Sequence, residues 1–220
     1  MDLRSARQAR ADAWVRWARS PEFDHDFWRR FHLRCFLDLL PAPGRFTVDV
    51  GCGEGRLTRA LNAASYRVVG ADTASALVKA ALTHPRSAPA VVADATRLPF
   101  PDQSADLVIA FMCLHDFDDM PAAVAEAARI LTPGGRFAVA LHHPFVTARF
   151  AGAYLAEQRY TLTVQRDEAS MTYEGTHRPL IAYSNALTAA GLTIETIREP
   201  ARDKAGQSAA LFLDLLAVAS

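Results

Sequence analysis

Three alternate glycines constrain this chain more than any other feature of its sequence. Gly51, Gly53 and Gly55 directly follow a β-branched run that contains Val48 and Val50, and a helical pattern begins immediately after them. The sequence therefore predicts a strand, a tight turn and a helix N-terminus in succession, a junction at which a ligand can contact bare backbone. Glycines also occupy such turns for conformational reasons alone, so the run by itself leaves a ligand site undecided.

Two charged residues beside the glycines narrow the kind of ligand. Asp49 precedes the first glycine, and its carboxylate would repel a pyrophosphate but suit a cationic or amine-bearing ligand. Arg56 stands where the dinucleotide fingerprint requires a third glycine or alanine, which disfavours NAD and FAD. The pattern therefore favours S-adenosylmethionine (SAM).

Strand and helix patterns alternate from residue 45 onward. Strands are predicted at 46–50, 67–71, 90–93, 106–111 and 136–141, and helices at 55–64, 73–83 and 119–131. Because the strands are almost continuously apolar, we expect an α/β, doubly wound Rossmann-like fold with helices on both faces of a parallel sheet. A helix at 178–190 and two strands at 192–197 and 210–219, joined by a polar loop at 199–208, would close the sheet with an antiparallel pair.

Two further segments are predicted outside this alternation. Residues 1–44 carry aromatic and apolar side chains at helical spacing, which Ser20-Pro21 should divide into two helices. Residues 145–178 are rich in tyrosine and threonine and predict one or two strands in an excursion from the core. We therefore expect an N-terminal helical cap at 1–44 and a core at 45–220 that carries a lid insertion at about 145–178.

Two aspartates end the next two predicted strands. Asp72 lies roughly 20 residues after the first glycine, where a carboxylate can hold two ribose hydroxyls, but Asp72 with Thr73 also suits a helix N-terminus. Asp94 could bind the exocyclic amine of an adenine, with the backbone N–H of Ala95 nearby. Asp94 also suits a turn-capping role. Both alternatives stay open at the level of sequence.

Composition excludes several classes of partner. The 24 lysines and arginines balance 24 aspartates and glutamates, so no global field attracts nucleic acid or an anionic membrane. The three cysteines are far apart and form no paired motif, which is typical of free thiols in a reducing cytoplasm. The charged first 19 residues do not resemble a signal peptide, and no apolar run could span a bilayer. We expect a cytoplasmic protein that binds neither nucleic acid nor membrane.

The order of five motifs resembles that of the class I SAM-dependent methyltransferases. The motifs are V-D-V-G-C-G-E-G, V-V-G-A-D, A-D-A-T-R-L-P-F, S-A-D-L-V-I-A-F-M-C-L-H and A-A-R-I-L-T-P-G-G-R-F, within about residues 45–145. They are most similar to the small-molecule group related to the ubiquinone and menaquinone methyltransferases. The leader within residues 1–40 and the stretch 177–195 resemble uncharacterised bacterial members.

The resemblance implies a fold and a set of binding residues. The sheet would have seven strands, with an antiparallel last strand. Gly51, Gly53 and Gly55 would approach the methionine part of SAM, and Asp49 would lie under its amino group. Asp72 with Thr73 would hold the ribose, and Asp94 with Ala95 the adenine. Phe111 and Met112 would line the wall beside the sulfonium.

Histidines at two strand ends are candidate bases for a methyl acceptor. We rank His143 first and His115 second, since both follow strands at the sheet edge where such folds bind ligands. Either could instead be a loop residue bonded to backbone, because methyl transfer often needs proximity alone. Asp116, Asp118 and Asp119 could suggest Mg²⁺, but carboxylates before a helix more often stabilise its N-terminus, and we predict no metal.

The acceptor itself is only coarsely indicated. Aromatic side chains and arginines of the lid, among them Arg149, Arg159, Arg166 and Arg178, suit a partly apolar small molecule with an anionic group. The tryptophans Trp14, Trp17 and Trp28 could pack within the cap or contact substrate. We expect methyl transfer from SAM to an oxygen or nitrogen atom, with S-adenosylhomocysteine (SAH) as product. A carbon acceptor, or a SAM-binding enzyme that transfers no methyl group, is the alternative, and the chain could be a monomer or a homodimer.

Overall fold

The computed structural model describes residues 10–20, 32–166, 169–204 and 207–220. Seven strands form one sheet in the order β3-β2-β1-β4-β5-β11-β8. These strands are β1 (Thr47–Val50), β2 (Val68–Asp72), β3 (Ala90–Val92), β4 (Ala105–Phe111), β5 (Leu131–His142), β8 (Leu192–Arg198) and β11 (Phe212–Ala219). Strand β11 runs antiparallel to both β5 and β8, while the pairs among β1 to β5 are parallel. The predicted seven-stranded sheet with an antiparallel last strand is confirmed.

Helices and two small hairpins surround the sheet. The helices are α1 (Ala11–Ala18), α2 (Leu33–Leu37), α3 (Arg56–Ala63), α4 (Ser75–Leu82), α5 (Met120–Ile130), α6 (Pro144–Ala151) and α7 (Leu180–Ala189), with a short 3₁₀ turn at Leu114–Asp116. The hairpins are β6 (Gln158–Arg166) with β7 (Ala169–His177), and β9 (Ala201–Lys204) with β10 (Gln207–Ala210). No helix of the described ranges is both long and apolar enough to cross a bilayer.

The core lies on both faces of the sheet because alternate strand residues point to opposite sides. One cluster includes Val48 and Val108 and continues into α5 and α7. The other includes Leu107 and Ile109 and continues into α2 and α3, with Phe36 fully buried. The sheet is thus covered on both faces, which explains the continuous apolar runs of its strands.

The structure differs from the sequence expectations mainly outside the parallel strands. The excursion after β5 begins with helix α6, which the pattern of tyrosines and threonines did not indicate, before the β6–β7 hairpin. The polar stretch after β8 is not an open loop but contains the β9–β10 hairpin. Pro21, at the predicted break between two N-terminal helices, and Trp28 fall outside the described residues.

Helix α1 packs against the β6–β7 hairpin. Trp14 and Trp17 each make an edge-on contact with Tyr173, with ring centroids 5.8 and 6.5 Å apart. Arg10 forms an ion pair with Glu174 at 2.6 Å. These contacts bring two segments separated by about 160 residues into one layer over the carboxyl ends of the strands.

Candidate active site

The turn after β1 adopts a backbone conformation that favours glycine. Gly51 has φ +69°, and a Cβ added there would lie 2.7 Å from the Cβ of Cys113. Gly53 has φ +58°, and its amide donates a hydrogen bond to Asp72 Oδ2 at 2.8 Å. Both residues line a cavity of about 420 Å³. The predicted exposure of backbone toward a ligand is therefore present at these two positions.

Gly55 lies elsewhere and has another role. It precedes α3 with φ +80°, and an added Cβ would lie 2.9 Å from the Cβ of Ala81 on α4. Gly55 does not line the cavity. The structure thus assigns this glycine to a left-handed turn and to close packing between α3 and α4, rather than to ligand contact.

Asp49 is a buried carboxylate that lines the cavity at the end of β1. It is 1% exposed, and the Thr58 hydroxyl donates a hydrogen bond to its Oδ2 at 2.6 Å. Burial, opposed by the bond from Thr58 and reinforced by nearby Asp72, raises the pKa of Asp49 to about 7. A cationic group in the cavity would stabilise the ionised form, as the sequence suggested.

Asp72 caps the start of α4 and also lines the cavity. Its Oδ1 accepts a hydrogen bond from the amide of Ala74 at 2.9 Å, at the start of α4, while Oδ2 accepts the bond from Gly53. Its side chain also lines the cavity. Each carboxylate oxygen can accept a further bond, so this geometry leaves room for ribose hydroxyls. Thr73, the next residue, is not part of the cavity lining.

The predicted adenine contacts are not brought to the cavity. Asp94 Oδ1 accepts hydrogen bonds from the amide and hydroxyl of Thr96 at 2.9 and 2.8 Å, which closes a turn. Neither Asp94 nor Ala95 lines the cavity. The turn-capping alternative thus describes this geometry, because a short carboxylate readily binds the amide two residues on.

Phe111 and Met112 do line the cavity, at the end of β4. Met112 has φ +55°, a conformation that is uncommon for a residue with a side chain and that costs backbone strain. Its amide is nevertheless fixed by a 2.8 Å bond to the carbonyl of Ala140 on β5. The surrounding sheet thus holds this strained turn at the edge of the cavity.

The two predicted histidine bases are placed differently. His115 lines the cavity on the 3₁₀ turn after β4, with its Nε2 3.5 Å from Asp116 Oδ1. His143 does not line the cavity: its Nδ1 accepts a bond from the amide of Phe145 at the start of α6, and its Nε2 lies 2.8 Å from Glu199 Oε1. A catalytic role for His143 stays a prediction, and in the structure both of its ring nitrogens have local partners.

His142 and His32 reach the cavity instead, although neither was singled out from the sequence. His142 lies 5.1 Å from His115 between ring centroids, and 5.8 Å from Phe212, on which His32 stacks at 3.8 Å. Burial, with a smaller contribution from His115, lowers the pKa of His142 to about 3. We call these four side chains the histidine wall, and Asp49, Gly51, Gly53 and Asp72 the glycine wall.

The lid supplies an apolar lining rather than cations. Tyr160, Leu162, Val164 and Met171 of the β6–β7 hairpin line the cavity. Of the four lid arginines, Arg159 pairs with Asp118 at 2.6 Å and Arg178 pairs with Glu157 at 2.8 Å, and neither faces the cavity. Arg149 is also outside the lining, and the side chain of Arg166 lies beyond the described part. The expected anion anchors are thus not assembled there.

The acidic group after β4 is divided among three tasks. Asp116 lines the cavity beside His115, whereas Asp118 binds Arg159 and Asp119 caps α5 by accepting a bond from the amide of Ala122 at 3.0 Å. Within the described ranges, no three His, Cys, Asp or Glu side chains are grouped so that they could hold a metal ion. The geometry gives no support to a magnesium site.

The chain resembles known proteins in sequence. Residues 48–139 match the methyltransferase domain family. The chain is 36% identical over 99 residues to the demethylmenaquinone methyltransferase of Corynebacterium kroppenstedtii, an overlap of 45% of this chain and 42% of that protein. It is 30% identical over 122 residues to the mitochondrial arginine-hydroxylase NDUFAF5 of Rattus norvegicus, covering 55% and 33% respectively. The chain thus spans between a third and a half of these relatives.

A solved structure extends the likeness to nearly the whole fold. The SAM-dependent methyltransferase of Thermotoga maritima superimposes with a TM-score of 0.69 at 17% identity, covering 99% of this chain and all of that one. Fold, cavity and sequence match coincide over the strands that carry the glycine wall. Residues 48–139 of the chain therefore match a methyltransferase domain in sequence, and the chain shares the fold of the SAM-dependent methyltransferase from Thermotoga maritima.

Proposed function

We propose that the protein transfers a methyl group from SAM to an oxygen or nitrogen atom of a small molecule. The observation that carries the proposal is a single cavity lined both by the glycine wall and by the histidine wall. The glycine wall suits the cofactor, and the histidine wall suits the acceptor. The aromatic and aliphatic lining from α1 and the β6–β7 hairpin supports a partly apolar acceptor.

The glycine wall has the groups that SAM requires. Exposed backbone at Gly51 and Gly53 lies beside the buried carboxylate of Asp49, which would bind the amino group, and Asp72 would hold the ribose. Bound SAM supplies an electrophilic methyl group. The protein's own contribution is to align the acceptor with it and to exclude water, which α1 and the hairpin do by covering the cavity.

His115 is the base that we retain from the two sequence candidates. It lines the cavity, and Asp116 lies close enough to orient its ring. Of the two sequence candidates, this imidazole is therefore the one that borders the space for the acceptor. His143 does not border this space, and its ring is bonded to Phe145 and Glu199.

Thermal unfolding with cofactor tests the binding half of the proposal. SAH at about 100 times its Kd should raise the Tm by about 5–10 °C, whereas NAD at the same concentration should not. Equal stabilisation by both ligands would contradict the cofactor assignment, because the carboxylate of Asp49 should repel a dinucleotide pyrophosphate and Arg56 departs from the dinucleotide glycine pattern.

A labelled-methyl assay tests the transfer half. The protein is incubated with methyl-labelled SAM and a mixture of small molecules, and the labelled product is identified by mass spectrometry and NMR. Label on oxygen or nitrogen is the expected result. Label on carbon would contradict this choice of acceptor atom and would identify the protein as a C-methyltransferase.

A SAM-binding enzyme that transfers no methyl group is the second candidate. The relative from Rattus norvegicus, which is named an arginine-hydroxylase, supports it. The same assay separates the two functions: chemical change of a small molecule with all label retained on SAM would favour this second activity.

A further inference from the structure

Asp214 is a buried carboxylate in an otherwise apolar strand. It lies in β11 between β5 and β8, is 0% exposed, and has Ala140 and Arg198 as its register partners. Among the described residues, neither carboxylate oxygen has a hydrogen-bond donor within 3.5 Å. Because a buried carboxylate without donors costs stability that an apolar side chain would not, the stability of the strand does not account for Asp214.

His32 connects Asp214 to the cavity. The Nε2 of His32 lies 3.8 Å from Asp214 Oδ1, and both side chains are buried. The His32 ring also stacks on Phe212 at 3.8 Å and lies 4.7 Å from Phe111, and all three rings line the cavity. The imidazole therefore stands between a buried carboxylate and the space assigned to the acceptor.

Charged groups from three elements act on His32. They are Asp214 of β11, Arg56 of α3 and His142 of β5, while Cys35 of α2 in turn faces Asp214. Burial is the largest influence and lowers the pKa of His32, so the ring is neutral near pH 7. A neutral imidazole has one nitrogen that donates and one that can accept a proton.

We propose that Asp214 positions His32 by accepting its Nε2–H, so that Nδ1 of His32, rather than His115, takes the proton released by the methyl acceptor. Asp214 is a positioning residue here and His32 is the catalytic one. The arrangement matches the general logic of a carboxylate that fixes the tautomer and orientation of an imidazole. The inference rests on the proposed function, since it assigns a step of methyl transfer.

The acceptor oxygen or nitrogen gains the methyl carbon while its O–H or N–H bond breaks, and the electron pair of the methyl–sulfur bond stays on the thioether sulfur. The proton passes to Nδ1 of His32, and the resulting imidazolium is stabilised by the carboxylate of Asp214. After the product leaves, the proton passes to solvent.

Imidazole ¹H–¹⁵N NMR of the SAH-bound protein tests the pairing without any acceptor. The signal of His32 is assigned by its loss in His32→Gln. In the unaltered protein, the Nε2–H tautomer of His32 should predominate. In Asp214→Leu, which removes the acceptor of that hydrogen, the Nδ1–H tautomer should increase. A predominant Nδ1–H tautomer in the unaltered protein, or no change in Asp214→Leu, would overturn the proposal.

Thermal stability separates positioning from a structural role. Asp214→Leu should leave the Tm unchanged or higher. The matched substitution Asp106→Leu should lower the Tm, because the Asp106 carboxylate accepts hydrogen bonds from the amides of Arg45 and Phe46. A fall in Tm for Asp214→Leu as large as that for Asp106→Leu would identify Asp214 as structural and contradict the inference.

The labelled-methyl assay then separates this inference from the proposed function. His32→Gln and Asp214→Leu should each transfer methyl at least about tenfold more slowly while binding SAH as the unaltered protein does. Unchanged transfer in both variants would refute the role of the pair alone. Absence of transfer in the unaltered protein, despite SAH binding, would refute the proposed function and the proton transfer with it.

Discussion

The glycine wall and the histidine wall are built from very different lengths of chain. All four residues of the glycine wall lie between Asp49 and Asp72, on two adjacent parallel strands and the turn after the first. The histidine wall draws His32 from before α2, His115 from the turn after β4, and its other two members from β5 and β11. One wall is therefore a local motif, whereas the other exists only after the sheet has closed.

The difference has a physical cause. A glycine turn and the carboxylates beside it are fixed by nearby backbone bonds, such as the one from Gly53 to Asp72. The histidine wall is instead fixed by ring stacking. Phe212 of β11 stacks on His142 of β5 and on His32, which precedes α2. A substitution in the first wall should thus affect cofactor binding directly, and one in the second should affect the acceptor. The predictions below test that division.

The largest effect is expected for Gly51→Ala. Its positive φ and the 2.7 Å approach to Cys113 together should cost roughly 3 kcal/mol of unfolding free energy and abolish SAH binding. Gly134→Ala is the matched control, since Gly134 has φ +75° with nothing within 4 Å of an added Cβ, so only about 1 kcal/mol should be lost. Chemical denaturation measures both, and equal losses would show that the close approach does not matter.

Asp72→Ala should weaken SAH binding by about 10- to 100-fold, because a carboxylate that accepts hydrogen bonds from the ligand would be lost. Isothermal titration calorimetry measures the change. Asp102→Ala is the control, because Asp102 pairs with Arg129 on the surface and lies outside the cavity. Unchanged affinity in Asp72→Ala would remove this residue from the cofactor site.

SAH affinity should rise about tenfold between pH 6 and pH 8, since Asp49 must ionise to bind an ammonium group and its pKa is about 7. In the cofactor-free protein, a rise in pH has the opposite effect, because ionisation of Asp49 lowers the stability of the folded state. Its folded pKa lies above the unfolded value of 3.8, so its contribution to stability is lost as the pH rises through about 7.

Isothermal titration calorimetry across this pH range measures the expected rise in SAH affinity. Thermal unfolding of the cofactor-free protein measures the expected loss of stability. Asp49→Asn should flatten the affinity profile, because the amide does not titrate. A profile with the same slope in the variant would assign the pH dependence to another group.

The smallest effect is expected for Arg10→Ala, which breaks the ion pair between α1 and the hairpin. Both partners are about one-third exposed, so the unfolding free energy should change by less than about 1 kcal/mol. SAH dissociation, followed by stopped-flow fluorescence, should become faster because the covering layer opens more readily. Arg136→Ala removes a similarly exposed pair with Glu195, away from the cavity, and should leave dissociation unchanged.

Much of the fold was predictable because hydrophobic periodicity is a local signal. The parallel strands and the helices between them fall close to their expected positions, and the closing antiparallel pair is confirmed. Helix α6 was missed because its eight residues begin with a proline and carry mixed aromatic and polar side chains without a clear apolar face. The β9–β10 hairpin was missed because its polar sequence resembles a loop.

Asp214 shows where a sequence signal existed but was not used. It is the one charged residue within Phe212–Ala219, and a lone carboxylate in a buried strand indicates a specific partner. Sequence could not name that partner, since His32 lies more than 180 residues earlier in the chain. The position of His143 after a strand suggested a base, and only the structure shows that its ring lies beside Glu199.

The sequence by itself determined the α/β sheet and the glycine wall, because both depend on short runs of residues whose backbone preferences are local. Only the tertiary structure decided which histidines face the cavity and which aspartates serve turns. Side-chain direction at a strand end depends on how distant strands and helices pack, and that packing brings residues such as His32, His142 and Phe212 together. The histidine wall therefore forms only when distant strands and helices have packed together.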